Sequence, residues 1–431
     1  MNSENSENLK SMKLNINRPL LALAIILVGY TAGAQHRLSL DSILTSINAR
    51  NPMLQEYRYR ASALNEISKG AKSWMAPMVG LGTFMTPYPG QRLMDEQGEQ
   101  GKGSVMISAE QSIPNPAKLR ANQQYLSSKG SIEEAAGAFT FNDLRAQAKT
   151  AFYDWFVLEK KLVIFKENEE IIRLMFNIAK ARYPYNQSPL GNSFKAEGRL
   201  YEVQNMIYMT ENEIIQKNIT LNTLMNLPKD TRFAIDTVIR EFSPVELQVD
   251  TATLASNRSD IRQINNTIQS MRYAVTLESF QKKPDFRIRY NHMAPLGQGM
   301  PNAYTIEGMV SIPIAPWSSR MYRANVKGMN LQIEAMKRGR EAILNEAQGM
   351  AAGMAWEIQT TRKQLDNYEQ RILPALERNY ETVMLAYEEN REELPFVIDA
   401  YEALIMAQTQ YLDTMRRYYQ MIVSYEKQLE K

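Results

Sequence analysis

The feature that most constrains the fold is a long proline-free stretch with regularly spaced apolar residues. Within residues 139–183, apolar side chains recur alternately three and four positions apart and so align on one helix face: Phe141, Leu144, Ala148, Ala151, Trp155, Leu158, Leu162 and Phe165. Proline is absent between Pro116 and Pro184, so one helix is predicted from about Lys118 to Arg182. At ~1.5 Å per residue it is about 100 Å long, too long for one compact domain. It must pack along other long helices in a bundle or tube.

The composition is that of a folded chain without thiol chemistry. Of 431 residues, 44% are hydrophobic and 23% are charged, and a net charge of +3 gives no reason to expect nucleic acid as a partner. The absence of cysteine excludes disulfides, zinc–thiolate sites and cysteine nucleophiles. His36 and His292 have no nucleophile or metal-ligand spacing around them. We therefore expect a protein that is not an enzyme, with no catalytic residue, cofactor site or metal site.

The N-terminal segment has the pattern of a secretory signal peptide. Lys13 and Arg18 precede the apolar run 20–30, and a small-residue A-x-A cleavage site ends at Ala34. The apolar run is too short to span a bilayer, and no later stretch reaches ~18 uncharged apolar residues. Residues 1–34 are therefore expected to be removed after export.

The rest of the chain repeats one plan twice. A helix stops at Pro77, two alternating apolar runs follow, and a rod-like helix and a shorter return helix complete the first copy. The same order recurs after Pro284. A second rod is predicted from about Ser319 to Tyr387, with an expected kink at Pro374. Its apolar seam comprises Leu344, Ala347, Ala351, Met354, Ile358, Thr361, Leu365 and Tyr368.

These observations predict four segments. Residues 1–34 are the signal peptide, and 35–228 form the first repeat with a β-hairpin at about 79–113. Residues 229–250 are a mid-chain connector. The second repeat is 251–431, with a β-hairpin at about 286–313, so the chain contains an internal duplication.

Alternation along the predicted strands favours a membrane barrel. In the third strand, Phe286, Ile288 and Tyr290 face one side, and charged residues face the other. An apolar outside with a charged inside is the porin-type pattern. One chain supplies only four strands, and a bilayer does not tolerate their open edges, so closure needs several chains. The candidate lumen residues are Glu110, Arg287, Arg289 and Glu307, and candidate belt aromatics at strand ends are Trp74, Tyr88, Tyr304 and Trp317. A two-sided soluble sheet is the alternative.

In their order and duplication, these pieces resemble the outer-membrane efflux protein family of the TolC type, over essentially the whole mature chain. The matching residues are Leu38-Ser39-Leu40 with Asn51-Pro52, the stretch Leu221 to Pro228, the tip patterns Ala181-Arg182-Tyr183 and Ala386-Tyr387, and Ser-Ile-Pro at 112–114 and 311–313. Three asparagines stand where the family usually has glycine: Asn186 and Asn390 at the tips and Asn226 before the connector.

The resemblance implies a mainly α protein with a membrane β part. A long α-helical coiled-coil barrel, or tunnel, would lie in the periplasm and continue into a twelve-stranded β-barrel in the outer membrane. Each protomer of a homotrimer would supply four strands. The implied function is the exit duct of a tripartite efflux or type I secretion system. Its partners would be a periplasmic adaptor (membrane fusion) protein, an inner-membrane pump of the resistance-nodulation-division or ABC type, and outer-membrane lipid.

Two alternatives stay open. A secreted coiled-coil structural or adhesin-like protein would explain the seams but not the duplicated hairpins. Within the channel interpretation, the 25 methionines permit Cu or Ag efflux, because thioethers are soft ligands for Cu(I). Scattered methionines are also typical fillers of irregular cores, so the substrate stays unspecified.

The turns farthest from the strands, 183–191 and 387–395, are expected to form the periplasmic mouth. The candidate tip-turn residues are Tyr183, Asn186 and Asn390, and the candidate gate residues are Tyr387, Glu388, Glu389, Arg391, Glu392 and Glu393. Three copies would gather like charges around one axis, which oppose closure unless paired or screened. In the resembling family charged tips close the entrance and an acidic ring favours cations, so we expect Arg391, with Tyr387 beside it, to latch the mouth. The alternative is an ordinary solvated surface.

Overall fold

Long helices and a four-stranded antiparallel sheet make up the molecule. The computed structural model describes residues 37–88, 93–94, 100–101, 103–185, 188–237, 249–297 and 301–430. The expected signal peptide and Asn186 lie outside the described residues. None of the described helices has an apolar stretch long enough to cross a bilayer.

The first half follows the predicted order of elements. Two helices separated by Asn51 come first, and the Asn51 side chain accepts a hydrogen bond from the Met53 amide at 3.0 Å, which caps the second helix. The elements are β1 (Arg37–Leu38), α1 (Leu40–Arg50), α2 (Pro52–Lys69), β2 (Met78–Phe84), β3 (Leu93–Met94), β4 (Gln100–Gly101), β5 (Ser104–Ile113), α3 (Pro116–Arg182) and α4 (Leu190–Leu224).

The second half repeats that order after a short strand in the connector. This strand pairs in parallel with β1, a contact that the sequence did not predict. The elements are β6 (Ala234–Ile235), α5 (Thr251–Asn257), α6 (Ser259–Ser279), β7 (Phe286–Pro295), β8 (Ala303–Val310), α7 (Pro316–Asn367), α8 (Leu373–Glu388) and α9 (Leu394–Leu429). Short 3₁₀ turns lie at Gly70–Lys72, Tyr183–Tyr185 and Phe280–Lys282.

One predicted helix is divided in two. The sequence predicts an unbroken helix from Ala252 to about Gln281, but the backbone is extended at Arg258, with ψ of 126°. The Arg258 guanidinium donates to Asp260 at 2.6 Å and to the Gln428 side chain at 2.8 Å. The break therefore depends on a contact with α9, and no proline or glycine near Arg258 predicts it from the sequence.

The end of the second rod and two strand ends also differ in detail from the prediction. Where the sequence predicts a kink at Pro374, the structure has a π turn at Tyr368–Ile372. This wider turn accommodates the backbone N–H that Pro374 lacks. Strand β2 ends before Met85, whose φ of 50° is left-handed, and strand β8 ends before Ile312.

Helix α3 is the axis of the protomer. It has 67 residues, and eight consecutive ones, 151–158, are all buried. A helix that is buried on every side needs neighbours on every side. These come from α1, α4, the connector and α9, through Ile43, Ile47, Leu221, Leu224, Phe233, Ile235, Leu412 and Met415. The predicted seam is confirmed, with Phe141 and Leu162 half-buried and the other six residues buried.

We call residues 151–158 of α3 and the segments packed around them the central belt, and a buried ion pair lies inside it. Asp154 on α3 accepts from Lys217 of α4 at 2.6 Å and from the Gln420 amide of α9 at 2.8 Å. The Asp154 side chain is only 8% exposed. Two helices therefore meet α3 through one carboxylate, which is costly to leave unpaired.

We predict that Asp154→Ala lowers the free energy of unfolding by about 2 kcal/mol, because Lys217 loses its counterion and Gln420 its acceptor. The midpoint of thermal unfolding, followed by circular dichroism, measures the change. Glu56→Ala is the matched control, since it breaks an exposed ion pair with Arg60 on α2 and should cost at most about 0.5 kcal/mol. Equal losses in the two variants would contradict the role given to the buried pair.

Candidate functional site

The sheet has one apolar and one polar face. Its strand order is β2-β5-β7-β8, and every neighbouring pair is antiparallel. Because side chains alternate along a strand, the register assigns exposed apolar residues to one face: Val79, Leu81, Ile107, Phe286, Ile288, Tyr290, Ile306 and Val310. The other face carries Ser108, Glu110, Arg287, Arg289, Asn291, Thr305 and Glu307. The alternation predicted from sequence therefore holds in β5, β7 and β8, whereas β2 contributes only Met78, Gly80, Gly82 and Phe84 to the polar face.

The four candidate lumen residues form one ion cluster on the polar face. Arg289 lies between Glu110 and Glu307 in the strand register. It donates to Glu110 Oε2 from Nε at 2.9 Å and from Nη2 at 2.6 Å, whereas its Nη1 is 3.5 Å from Glu307 Oε2. Arg287 Nη1 approaches the other oxygen of Glu110 at 3.0 Å. Glu110 is thus held by two guanidinium groups, and Glu307 by one weak contact.

The second helical tip ends at a left-handed asparagine. Asn390 has a φ of 64°, which is the left-handed conformation. The amide of Arg391 donates to the Ala386 carbonyl at 2.8 Å, and the amide of Asn390 donates to the Tyr387 carbonyl at 3.0 Å. These bonds satisfy the last carbonyls of α8 and reverse the chain into α9. Asn226, with φ of 56°, takes the same conformation at the end of α4.

Tyr387 lies inside the tip and not beside Arg391. It is 2% exposed and packs in a cluster that joins all four helix ends. The Arg182 guanidinium lies 4.3 Å from the centre of the Tyr387 ring, and Arg182 Nη2 donates to the Glu388 carbonyl at 3.0 Å. Burial raises the pKa of the Tyr387 phenol, and the nearby guanidinium partly offsets this. The expected pairing of Tyr387 with Arg391 is therefore corrected to Tyr387 with Arg182, because the tyrosine side chain turns inward.

The remaining gate candidates are exposed. Glu388, Glu389, Glu392 and Glu393 all face solvent in the protomer. Arg391 pairs with Glu389 of its own turn at 3.1 Å, with 77% of its side chain exposed. In the first turn, Tyr183 is 46% exposed, and Asn186 lies outside the described residues. The second turn thus presents a net acidic surface.

Sequence reasoning missed two arginines that join helices. Arg182 links the end of α3 to the end of α8, as described above. Arg199 on α4 pairs with Glu202 on its own helix and with Glu402 on α9. Each is an unremarkable basic residue in the sequence, and only the packing of distant helices gives it a partner. Among the described residues, no group of histidine and acidic side chains is arranged to hold a metal.

We predict that Arg182→Ala loosens the tip, because one hydrogen bond and one cation–π contact are lost together. The local opening free energy should fall by about 1–2 kcal/mol. Hydrogen exchange of residues 384–398 measures it. Arg391→Ala is the control, since its exposed ion pair lies within one turn, and it should change exchange by less than about 0.5 kcal/mol. A larger effect of Arg391→Ala than of Arg182→Ala would contradict the role given to Arg182 in holding the tip together.

Comparison with known proteins identifies the fold and not a sequence relative. No protein-family profile matches the sequence, and no curated protein is similar to it in sequence. Solved structures do match, each over 90% of this chain. The outer-membrane channel OprN is 14% identical with a TM-score of 0.71 over 89% of its chain. VceC, an outer membrane protein of Vibrio cholerae, is 13% identical with a TM-score of 0.70 over 95% of its chain. CmeC, the outer membrane channel of Campylobacter jejuni, is 15% identical with a TM-score of 0.69 over 85% of its chain.

These matches include both the rods and the hairpins, since they extend over nearly the whole chain on each side. At 13–15% identity, these similarities show the arrangement of the helices and strands and give no information about a substrate. The resemblance noted in the sequence is confirmed at that level. The chain has the fold of the TolC-type outer-membrane channels.

Proposed function

We propose that this protein is an outer-membrane channel that serves as the exit duct of a tripartite efflux or type I secretion system. The observation that carries the proposal is the sheet, which has one exposed apolar face, one charged face and two unpaired edges. An apolar face suits lipid, and a charged face suits a water-filled lumen. A secreted structural rod has no use for such a sheet, so the adhesin-like alternative is less well supported.

Closure of the barrel requires further copies of the chain. Among the described residues, strands β2 and β8 each have one edge without a partner strand, and free edges are not tolerated in a bilayer. Pairing of β8 with β2 of a second copy removes both edges if the arrangement closes on itself. Three copies of four strands give the twelve-stranded barrel of the proposal. Its lumen would be lined by Glu110, Arg287, Arg289 and Glu307.

The helices offer a second surface that fits a copy of this chain. On α4, exposed apolar residues recur every seven positions: Phe194, Tyr201, Tyr208 and Ile215, with exposed fractions of 63%, 55%, 65% and 40%. The neighbouring face of α4 buries Ala196, Val203 and Ile207 against the rest of the protomer. A heptad stripe left uncovered is typical of a helix that packs along another helix. We assign it to the adjoining protomer in a trimeric tunnel.

The proposal also predicts the orientation of the protein in the outer membrane and the partners that it contacts. Trp74 and Trp317 flank the rod end of the sheet and Tyr88 the other, each more than half exposed, as expected of residues at membrane interfaces. The loops 87–104 and 294–303 would face the cell exterior, and the helices would occupy the periplasm. A periplasmic adaptor and an inner-membrane pump would meet the acidic tips, where Arg391 and the four glutamates set the charge of the mouth.

We predict that Tyr208→Glu prevents stable trimers, because it places a charge in the apolar stripe of α4. Light scattering of the detergent-extracted protein should give a trimer for the wild type and smaller species for the variant. Thr220→Glu is the matched control, since it adds the same charge to an exposed position of the same helix that lies about a third of a turn away from the stripe. A monomeric wild type, or a trimer that survives Tyr208→Glu, would contradict the interface.

We predict that the protein forms discrete channels in planar bilayers and that the tip carboxylates favour cations. Changing Glu389, Glu392 and Glu393 together to Gln should roughly halve the preference for potassium over chloride, since the field at the mouth falls with its charge. Arg391→Ala should raise the open conductance if this arginine holds the mouth closed. Channels with unchanged selectivity in the triple variant would leave these residues as solvated surface, and a protein without channel activity would refute the proposed function.

A further inference from the structure

The helix ends next to the sheet form a strongly basic collar. We use this name for residues 69–76, 114–123, 278–285 and 311–327, in which each of the four long strands meets its helix. The collar contains nine lysines and arginines but only two acidic residues, Glu278 and Asp285. The whole chain has a net charge of +3, so its positive charge is concentrated at this level.

Both acidic residues of the collar are already engaged. Lys118 Nζ lies 2.6 Å from Asp285 Oδ2, and the Asn325 side-chain amide donates to Glu278 at 2.7 Å. Six exposed cations have no acidic partner in the part of the chain that the structure describes: Lys72, Arg120, Lys282, Arg320, Arg323 and Lys327. These six side chains are therefore free to bind an external anion.

The collar continues an order of chemical types that begins on the sheet. The apolar face of the sheet comes first, followed by the exposed indoles of Trp74 and Trp317, and then by the six cations. On α7, Arg320 follows Trp317 by three positions and therefore lies near the same side of the helix. Helical side chains lean toward the helix N-terminus, which on α7 lies at the sheet, so Arg320 and Arg323 lean toward the sheet. A bilayer presents the same order, with hydrocarbon, interface and then phosphate.

A second copy of the chain does not neutralise the collar. In the proposed barrel, β8 pairs with β2 of the adjoining copy, so the start of α7 lies beside the end of α2 of that copy. That end carries Lys69 and Lys72, and residues 67–77 contain no Asp or Glu. Assembly therefore brings like charges together, which is unfavourable without counterions. The counter-charge has to come from outside the protein.

We propose that the collar binds the phosphate groups of anionic phospholipids in the periplasmic leaflet of the outer membrane. The inference rests on the proposed function, which puts the sheet in that membrane, and it adds the class of lipid that surrounds the channel. Arginine guanidinium groups bind two phosphate oxygens at once, and lysines supply further charge. Free phosphate would meet the same cations but would leave Trp74 and Trp317 without an apolar partner, which favours a lipid.

The test measures the quenching of tryptophan fluorescence by brominated lipids in bilayers that contain the wild-type protein. Quenching by brominated phosphatidylglycerol, compared with brominated phosphatidylcholine at the same mole fraction, gives the preference for the anionic lipid at Trp74 and Trp317. The wild type should prefer phosphatidylglycerol by about fivefold or more, and Arg320→Gln with Arg323→Gln should lower that preference by about threefold or more. Equal preference in the wild type and this double variant would overturn the proposal.

Lys337→Gln with Arg338→Gln is the matched control. It removes the same charge from α7 about 24 Å further from the sheet. Both side chains pair with glutamates on their own helix, and such exposed pairs contribute little to stability. The lipid preference should stay that of the wild type. A loss as large as in the collar variant would show a general effect of net charge and would overturn the assignment.

Inorganic phosphate separates a lipid headgroup from a free anion. Phosphate buffer and chloride of equal ionic strength should give the same preference for phosphatidylglycerol. Loss of the preference in phosphate alone would assign the collar to free phosphate and overturn the lipid assignment.

The planar-bilayer recordings separate this inference from the proposed function. Normal channels in a protein without a preference for phosphatidylglycerol refute the collar alone. A lipid preference that depends on Arg320 and Arg323, in a protein that forms no channels, refutes the channel and leaves the collar as a membrane-binding surface. If the collar variant changes the preference for potassium over chloride but not the lipid preference, the two arginines line the lumen and the proposal is wrong.

Discussion

The protomer depends on the complete burial of one short section of a very long helix. Most of the stability of a helix in a protein comes from the packing of its apolar face, so this 67-residue helix depends on the segments that pack around it. At residues 151–158, α1, α4, α9 and the connector enclose α3 on all sides. The ring centres of Trp155 and Phe233 are 5.4 Å apart. At the same height along α3, Asp154 accepts hydrogen bonds from α4 and α9. The parts of α3 on either side of this belt extend away from it as rods with one buried stripe.

The sheet obeys a second constraint, which is the two-residue period of an extended chain. A shift of one residue in β5, β7 or β8 would bring its charges to the apolar face. Here Glu110, Arg289 and Glu307 lie directly opposite one another across three strands, so their ion pairs fix the same register that the apolar alternation requires. The duplication of the chain supplies both hairpins, and β5 and β7 join them in the middle of the sheet. In the part of the chain that the structure describes, the two inner strands are paired on both sides, and β2 and β8 each leave one edge open.

Much of this organisation follows from the sequence, because it depends on periodicity. The seams of α3 and α7 and the alternating strands are local patterns, and Leu144 and Ala347 are buried as predicted. Contacts between distant segments have no such signature. The break at Arg258, the β1–β6 pairing and the inward position of Tyr387 are each set by a residue far away in the chain. For the same reason the sequence offered Arg391 as the partner of Tyr387, when the partner is Arg182.

The tip is packed as a unit separate from the central belt. Tyr387, Met384 and their neighbours form one apolar cluster, and Leu365 belongs to the cluster around α3. Between these two levels, no residue from 366 to 383 is buried, and this stretch contains the π turn and Pro374. A helix with little buried surface and an irregular turn opposes bending less than a regular, packed helix does. The sequence therefore combines a rigid belt, which sets the positions of the rods, with a segment of α8 whose stability comes mainly from its two ends.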